Sequence, residues 1–69
     1  MHFRIVGSHR HEAVVNGETF ACIRESTLQD DVMIIRWSVV RNGVVLKADC
    51  RTLNEAKILC RAAIAPPGP

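Results

Sequence analysis

Sixty-nine residues, 48% hydrophobic and 23% charged, describe one small folded domain and exclude a chain disordered throughout. A chain of this length buries only about 60% of the surface it exposes unfolded, so oligomerisation or covalent staples remain open as sources of stability. A formal charge of +2, with no basic block and no acidic run, is too small by itself to imply nucleic acid.

In chain order, residues 1–6 (MHFRIV) form a candidate short strand with Phe3 and Ile5 on one face, ended by Gly7-Ser8. His9–Val15 and Glu18–Glu25 flank Asn16-Gly17, a two-residue hairpin signal. That turn sets Val14 across from Thr19, Ala13 from Phe20, Glu12 from Ala21, and His11 from Cys22. Ala13, Phe20 and Cys22 then share a face fit for a core. The other face carries Val14, Ala21 and Ile23, so polarity alone leaves the buried side open. Ser26–Asp31 (STLQDD) reads as a polar loop.

The stretch Val32–Cys50 holds two β-branched runs joined by Asn42-Gly43, a second hairpin. An uninterrupted register pairs Arg41 with Val44, Val40 with Val45, Val39 with Leu46, Ser38 with Lys47, Trp37 with Ala48, Arg36 with Asp49, and Ile35 with Cys50. One face then holds Ile35, Trp37, Val39, Leu46, Ala48 and Cys50. The other sets Arg36 against Asp49 and Ser38 beside Lys47. Thr52 and Glu55 have the spacing of a helix-opening capping box. From Leu53 to about residue 65, Leu53, Ala56, Leu59, Cys60, Ala63 and Ile64 form an apolar stripe, leaving Asn54, Lys57, Ile58 and Arg61 toward solvent. The expected fold is α+β: an antiparallel meander of four to five strands packed on one C-terminal helix, spanning residues 1–65. Residues 66–69 (PPGP) cannot continue a helix and are expected to form a disordered tail.

Three cysteines without CxxC spacing, and no apolar leader or membrane-length run, point to a reducing cytoplasm with free thiols. His9-x-His11 with Cys22 could begin a metal site, but no fourth ligand is evident, and the polar end of a hairpin explains the histidines as well. His11 and Cys22 could likewise form a base and nucleophile. No third orienting group, glycine-rich phosphate loop or carboxylate pair accompanies them, and a strand cysteine is ordinarily a small core residue. We therefore expect no metal, no cofactor and no catalysis.

A single helix covers one face of a sheet. Ile34, Arg36, Ser38, Val40, Val45 and Lys47 would then be exposed together, apolar groups rimmed by charge, as at a protein interface or a homodimer contact. Ile58 and Arg61 on the helix form a second candidate surface. Arg24, Arg36, Arg41, Lys47 and Arg51 on the sheet would suit a DNA groove, although Asp30, Asp31 and Asp49 dilute their field.

Within Trp37–Ala56, the tryptophan, Arg41-Asn42-Gly43 and Thr52-x-x-Glu55-Ala56 are similar to the arm-type DNA-binding domain of tyrosine integrases. That resemblance implies a three-stranded sheet entering the major groove. Asp49-Cys50-Arg51 stands where the family usually carries an aromatic residue, and the family's dense Lys/Arg strands are missing. In size and style the whole chain also resembles small phage-encoded inhibitors of host defence of the anti-CRISPR type. This resemblance implies a non-catalytic binding protein, in the host cytoplasm if phage-encoded, that occludes or complexes a bacterial protein. A protein partner is thus the leading expectation, DNA the alternative, and a membrane is not expected.

Overall fold

The computed structural model describes residues 2–64, so residues 66–69 of the expected tail lie outside the described residues. Five strands follow in order: β1 (Arg4–Ile5), β2 (Arg10–Val15), β3 (Glu18–Gln29), β4 (Val32–Arg41) and β5 (Val44–Cys50). They form one antiparallel sheet in the order β1-β2-β3-β4-β5, and helix α1 (Leu53–Ile64) completes the α+β fold. Every hairpin with a two-residue turn has both turn residues at positive φ: Asn16 (52°) with Gly17 (79°), Asp30 (51°) with Asp31 (62°), and Asn42 (49°) with Gly43 (83°). That backbone matches the natural twist of paired strands, and Asn, Asp and Gly tolerate it best.

The first hairpin has the expected register, with Val14 across from Thr19, Ala13 from Phe20, Glu12 from Ala21 and His11 from Cys22. The helix packs on the face of Ala13, Phe20 and Cys22, all three buried; on the other face Val14 is 70% exposed, but Ala21 is buried and Ile23 half-buried. The core joins Phe20, Cys22, Val39, Cys50, Ala56 and Cys60, with Phe3, Trp37, Leu53, Leu59 and Ile64 packed around it. Alanine and cysteine on the inner helix face are small, which lets α1 lie close to the strands. Ala63 departs from the expected stripe and is exposed. Lys57 is half-buried, its ammonium 5.3 Å from the centre of the Phe3 ring.

The helix start follows the capping logic. Thr52 Oγ1 accepts from the Glu55 amide at 3.0 Å, satisfying a donor that the first turn leaves unpaired. The Glu55 carboxylate reaches back to the Arg51 amide at 3.1 Å, one residue beyond the usual partner.

Two expectations require correction. Ser26–Gln29 belongs to β3, and the loop shrinks to Asp30-Asp31, because Gln29 pairs with Val32 and the ladder continues through Leu28–Met33, Thr27–Ile34 and Ser26–Ile35. The β4–β5 register begins as expected at Arg41–Val44 and Val40–Val45, then slips, giving Val39–Lys47 and Trp37–Cys50. Leu46 is one extra residue, and a second lies at Ala48-Asp49, where Asp49 takes a φ of 62°. Consequently Leu46 and Ala48 are exposed, and the expected pairs Ser38–Lys47, Trp37–Ala48, Arg36–Asp49 and Ile35–Cys50 do not occur. Two single-residue insertions restore the alternation, so Cys50 still reaches the core.

Candidate functional site

The two bulges have a geometric consequence. They end β5 opposite Trp37 rather than opposite Ile35, so β4 loses its neighbour two residues early. On the other side, β2 ends at the Arg10–Ile23 pair, with one further bond from the Arg24 amide to the His9 carbonyl at 2.7 Å. Residues 25–36 therefore leave the sheet as a two-stranded ribbon, flanked by no other strand among the described residues. Five residues per strand give it a reach of about 17 Å at the usual strand rise. The described residues span 48 × 25 × 19 Å, an elongation that suits such a projection.

The ribbon is apolar at its surface. Leu28 is 65% exposed, Val32 60%, Met33 60% and Ile35 39%. Leu28, Met33 and Ile35 lie on the helix side of the sheet, because Leu28 pairs with Met33 and both keep the parity of Phe20 and Val39. Its tip is acidic. Glu25, Asp30 and Asp31 against Arg36 give residues 25–36 a formal charge of −2, while eight basic and four acidic groups leave the rest of the chain at +4. An isolated two-stranded ribbon is marginal in water, and a projecting apolar one is characteristic of an interaction surface.

The expected sheet-face site is only partly assembled. Ser38 (5% exposed) and Val40 (7%) are buried, which corrects the expectation that both would face solvent. Small Ala21 lies between Glu12 and Val40 in the register, with Ile23 across from Ser38, so neighbours on the same face cover these side chains without a second layer. The Arg10–Glu12 ion pair lies along the same face. Ile34 and Arg36 are half-buried on the ribbon, and Val45 is 59% exposed at the sheet edge. Lys47 is exposed but stands across from Val39, in a helix-side row, and so does not join Arg36. Ile58 (53% exposed) and Arg61 are solvent-facing on α1.

Leu28, Val32, Met33 and Ile35 were not among the expected contacts. A signal for them exists in the sequence: Asp30-Asp31 tolerates the positive φ of a hairpin turn, and Thr27-Leu28 is set symmetrically against Met33-Ile34 about it.

Of the histidine and cysteine candidates, His9 is exposed, whereas His11 and Cys22 are packed into the fold. His11 packs edge-on against Trp37, with ring centres 5.6 Å apart. Cys22 Sγ lies 3.7 Å from Cys60 Sγ inside the core. Burial, reinforced by the neighbouring Cys60, pushes the Cys22 thiol up to about 12, and burial raises those of Cys50 and Cys60 as well. A thiol held protonated is a poor nucleophile and a poor metal ligand. No group of three or more histidine, cysteine or acidic side chains is placed to hold a metal among the described residues, and no pocket occurs among them. Arg41 bridges β4 to Glu18, its Nε 3.0 Å from the carboxylate, and stacks over Phe20. That pairing removes one cation from the basic set. Arg24 turns toward the Trp37 row with its Nε buried and unpartnered.

No helix of the described residues is long and apolar enough to cross a membrane. No protein-family model, curated protein or solved structure matches the chain.

Proposed function

We propose that this protein is a non-catalytic binding module that occludes or complexes a protein partner through the ribbon of residues 25–36. The observation that carries this reading is the exposure of Leu28, Val32, Met33 and Ile35 on an element flanked by no third strand among the described residues. A two-residue turn and a 10-residue ladder maintain that projection, so its apolar side chains are presented rather than merely left over. An inhibitor of the small phage-encoded anti-defence type is a role consistent with such an instrument: little fold, no pocket among the described residues and one projecting element.

DNA binding fits less well. The acidic Asp30-Asp31 tip would meet phosphates first, and Arg10 and Arg41 are each paired with a glutamate.

The test is capture from bacterial lysate by the tagged chain, read by mass spectrometry, in parallel with Leu28→Glu/Met33→Glu. A protein recovered by the native chain and lost with the double variant is the expected result. Recovery unchanged by the variant, or recovery of nucleic acid alone, refutes the reading.

A further inference from the structure

The ribbon has two free edges, and their hydrogen-bonding groups can be assigned. The Asn42 amide donates to the Thr19 carbonyl at 2.8 Å, which makes 19–42 a bonded pair of the β3–β4 ladder. Bonded and non-bonded pairs alternate in antiparallel sheets, so 21–40, 23–38, 25–36, 27–34 and 29–32 are bonded across the hairpin. The intervening residues turn their N–H and C=O groups outward. The Arg24 amide, which reaches outward to His9, follows this rule. On β4 the outward groups beyond Trp37 belong to Met33 and Ile35, where β5 no longer runs alongside.

We propose that this free edge pairs with the same edge of a second copy, by an antiparallel two-fold axis through Ile34. This rests on the reading of the ribbon as an interaction surface and specifies how that surface is completed. Three observations fit it. First, a register centred on Ile34 sets Met33 against Ile35 of the second copy and Ile35 against its Met33, so both outward residues on each strand find partners. No other two-fold register uses all four. Second, the free length matches: the edge runs from Val32 to Arg36, bounded by the Asp30-Asp31 turn at one end and by Cys50 across from Trp37 at the other. Trp37 already faces Cys50, so the pairing ends at Val32 against Arg36 and the Asp30-Asp31 turn of the second copy must bend away from the edge there. Third, the charges are complementary. The acidic tip of one copy arrives beside Cys50-Arg51 of the other, where Arg51 is exposed.

The result is a continuous sheet through both copies, closing the apolar β4 edge that would otherwise invite uncontrolled pairing. On its helix side, Leu28, Met33 and Ile35 from each copy become one platform, twice the apolar contact that one chain offers a partner. The β3 edge is the weaker candidate, since its outward groups belong to Ser26 and Leu28, one of them polar, whereas both on β4 are apolar.

Sedimentation equilibrium of the native chain tests the pairing, with a concentration-dependent dimer expected. Ile35→Pro removes an outward N–H and none of the bonds within the hairpin, so a folded monomer is expected. Ile34→Cys, treated with oxidised glutathione, is expected to form a covalent dimer, because the axis brings residue 34 against its own copy in a non-bonded pair with closely spaced Cα atoms. Val32→Cys and Arg36→Cys are expected to cross-link when mixed but not alone. Arg51→Glu is expected to raise the dimer dissociation constant roughly two- to fivefold. A native chain monomeric at every concentration overturns the proposal, as does a dimer indifferent to Ile35→Pro or one in which Ile34→Cys fails to cross-link. Lysate capture separates the two readings. A monomer that still captures a protein in a Leu28- and Met33-dependent way removes the dimer and leaves the binding reading, assigning the edge to a strand of another protein.

Discussion

The β3–β4 hairpin serves two different environments along its length. At its base, Phe20, Cys22 and Val39 are buried under α1 and flanked by β2 and β5. At its tip, Leu28, Val32 and Met33 are each 60% exposed or more, with no third strand beside them. Backbone pairing is continuous through both halves, so the ladder alone does not distinguish them. What differs is burial: the base gains stability from apolar area removed from water, whereas the tip leaves its apolar area exposed. The lesson is that the same strand conformation can be core in one half and solvent-exposed in the other.

Substitutions should separate the halves. The largest effect belongs to Phe20→Ala in the base, expected to cost about 3–5 kcal/mol in a denaturant titration, a large fraction of a small domain's stability. A cost below about 1 kcal/mol would mean that the base is not the core. The next effect is on pH. The thiols of Cys22, Cys50 and Cys60 titrate above their ordinary range when folded, so the native state keeps protons that the unfolded chain releases. Stability from this source is complete below about pH 9 and declines as pH rises toward 12. Urea titrations at pH 7 and pH 10 should give a lower midpoint at pH 10, a difference reduced in Cys22→Ala. Thr52→Ala removes the hydroxyl that caps α1 and should cost about 1 kcal/mol by thermal unfolding. Smallest is the effect of Met33→Ser or Leu28→Ser, expected within about 0.5 kcal/mol of the native chain, because neither side chain is buried. A loss above 2 kcal/mol in dilute solution would show that the tip is already covered in the free protein, and would erase the contrast between the halves.

The parts of this fold that could be read from the sequence share one physical property: they depend on residues close together in the chain. Asn16-Gly17 and Asn42-Gly43 can adopt positive φ at both turn positions, so each fixes its hairpin and the first pairs beyond it. Thr52 and Glu55 face each other across one helical turn, so the start of α1 followed from their spacing. The ribbon escaped because reading strands by alternation assumes a buried face. Ser26–Gln29 has none, and its polar residues resemble a loop when nothing distinguishes inside from outside. Half of the expected sheet-face site failed for a related reason, since Ser38 and Val40 are covered by cross-strand neighbours whose joint placement no single strand discloses.

By itself, then, the sequence determined the two Asn-Gly turns, the helix cap, the meander order and the first hairpin's register, all set by local backbone preference. Tertiary structure alone decided where β5 stops. Cys50 must reach the core under α1, and Leu46 and the Ala48-Asp49 bulge take up the extra residues so that it does so opposite Trp37. That packing requirement, acting at one end of β5, uncovers Ile35 on the neighbouring strand and lengthens the free edge that already held Met33.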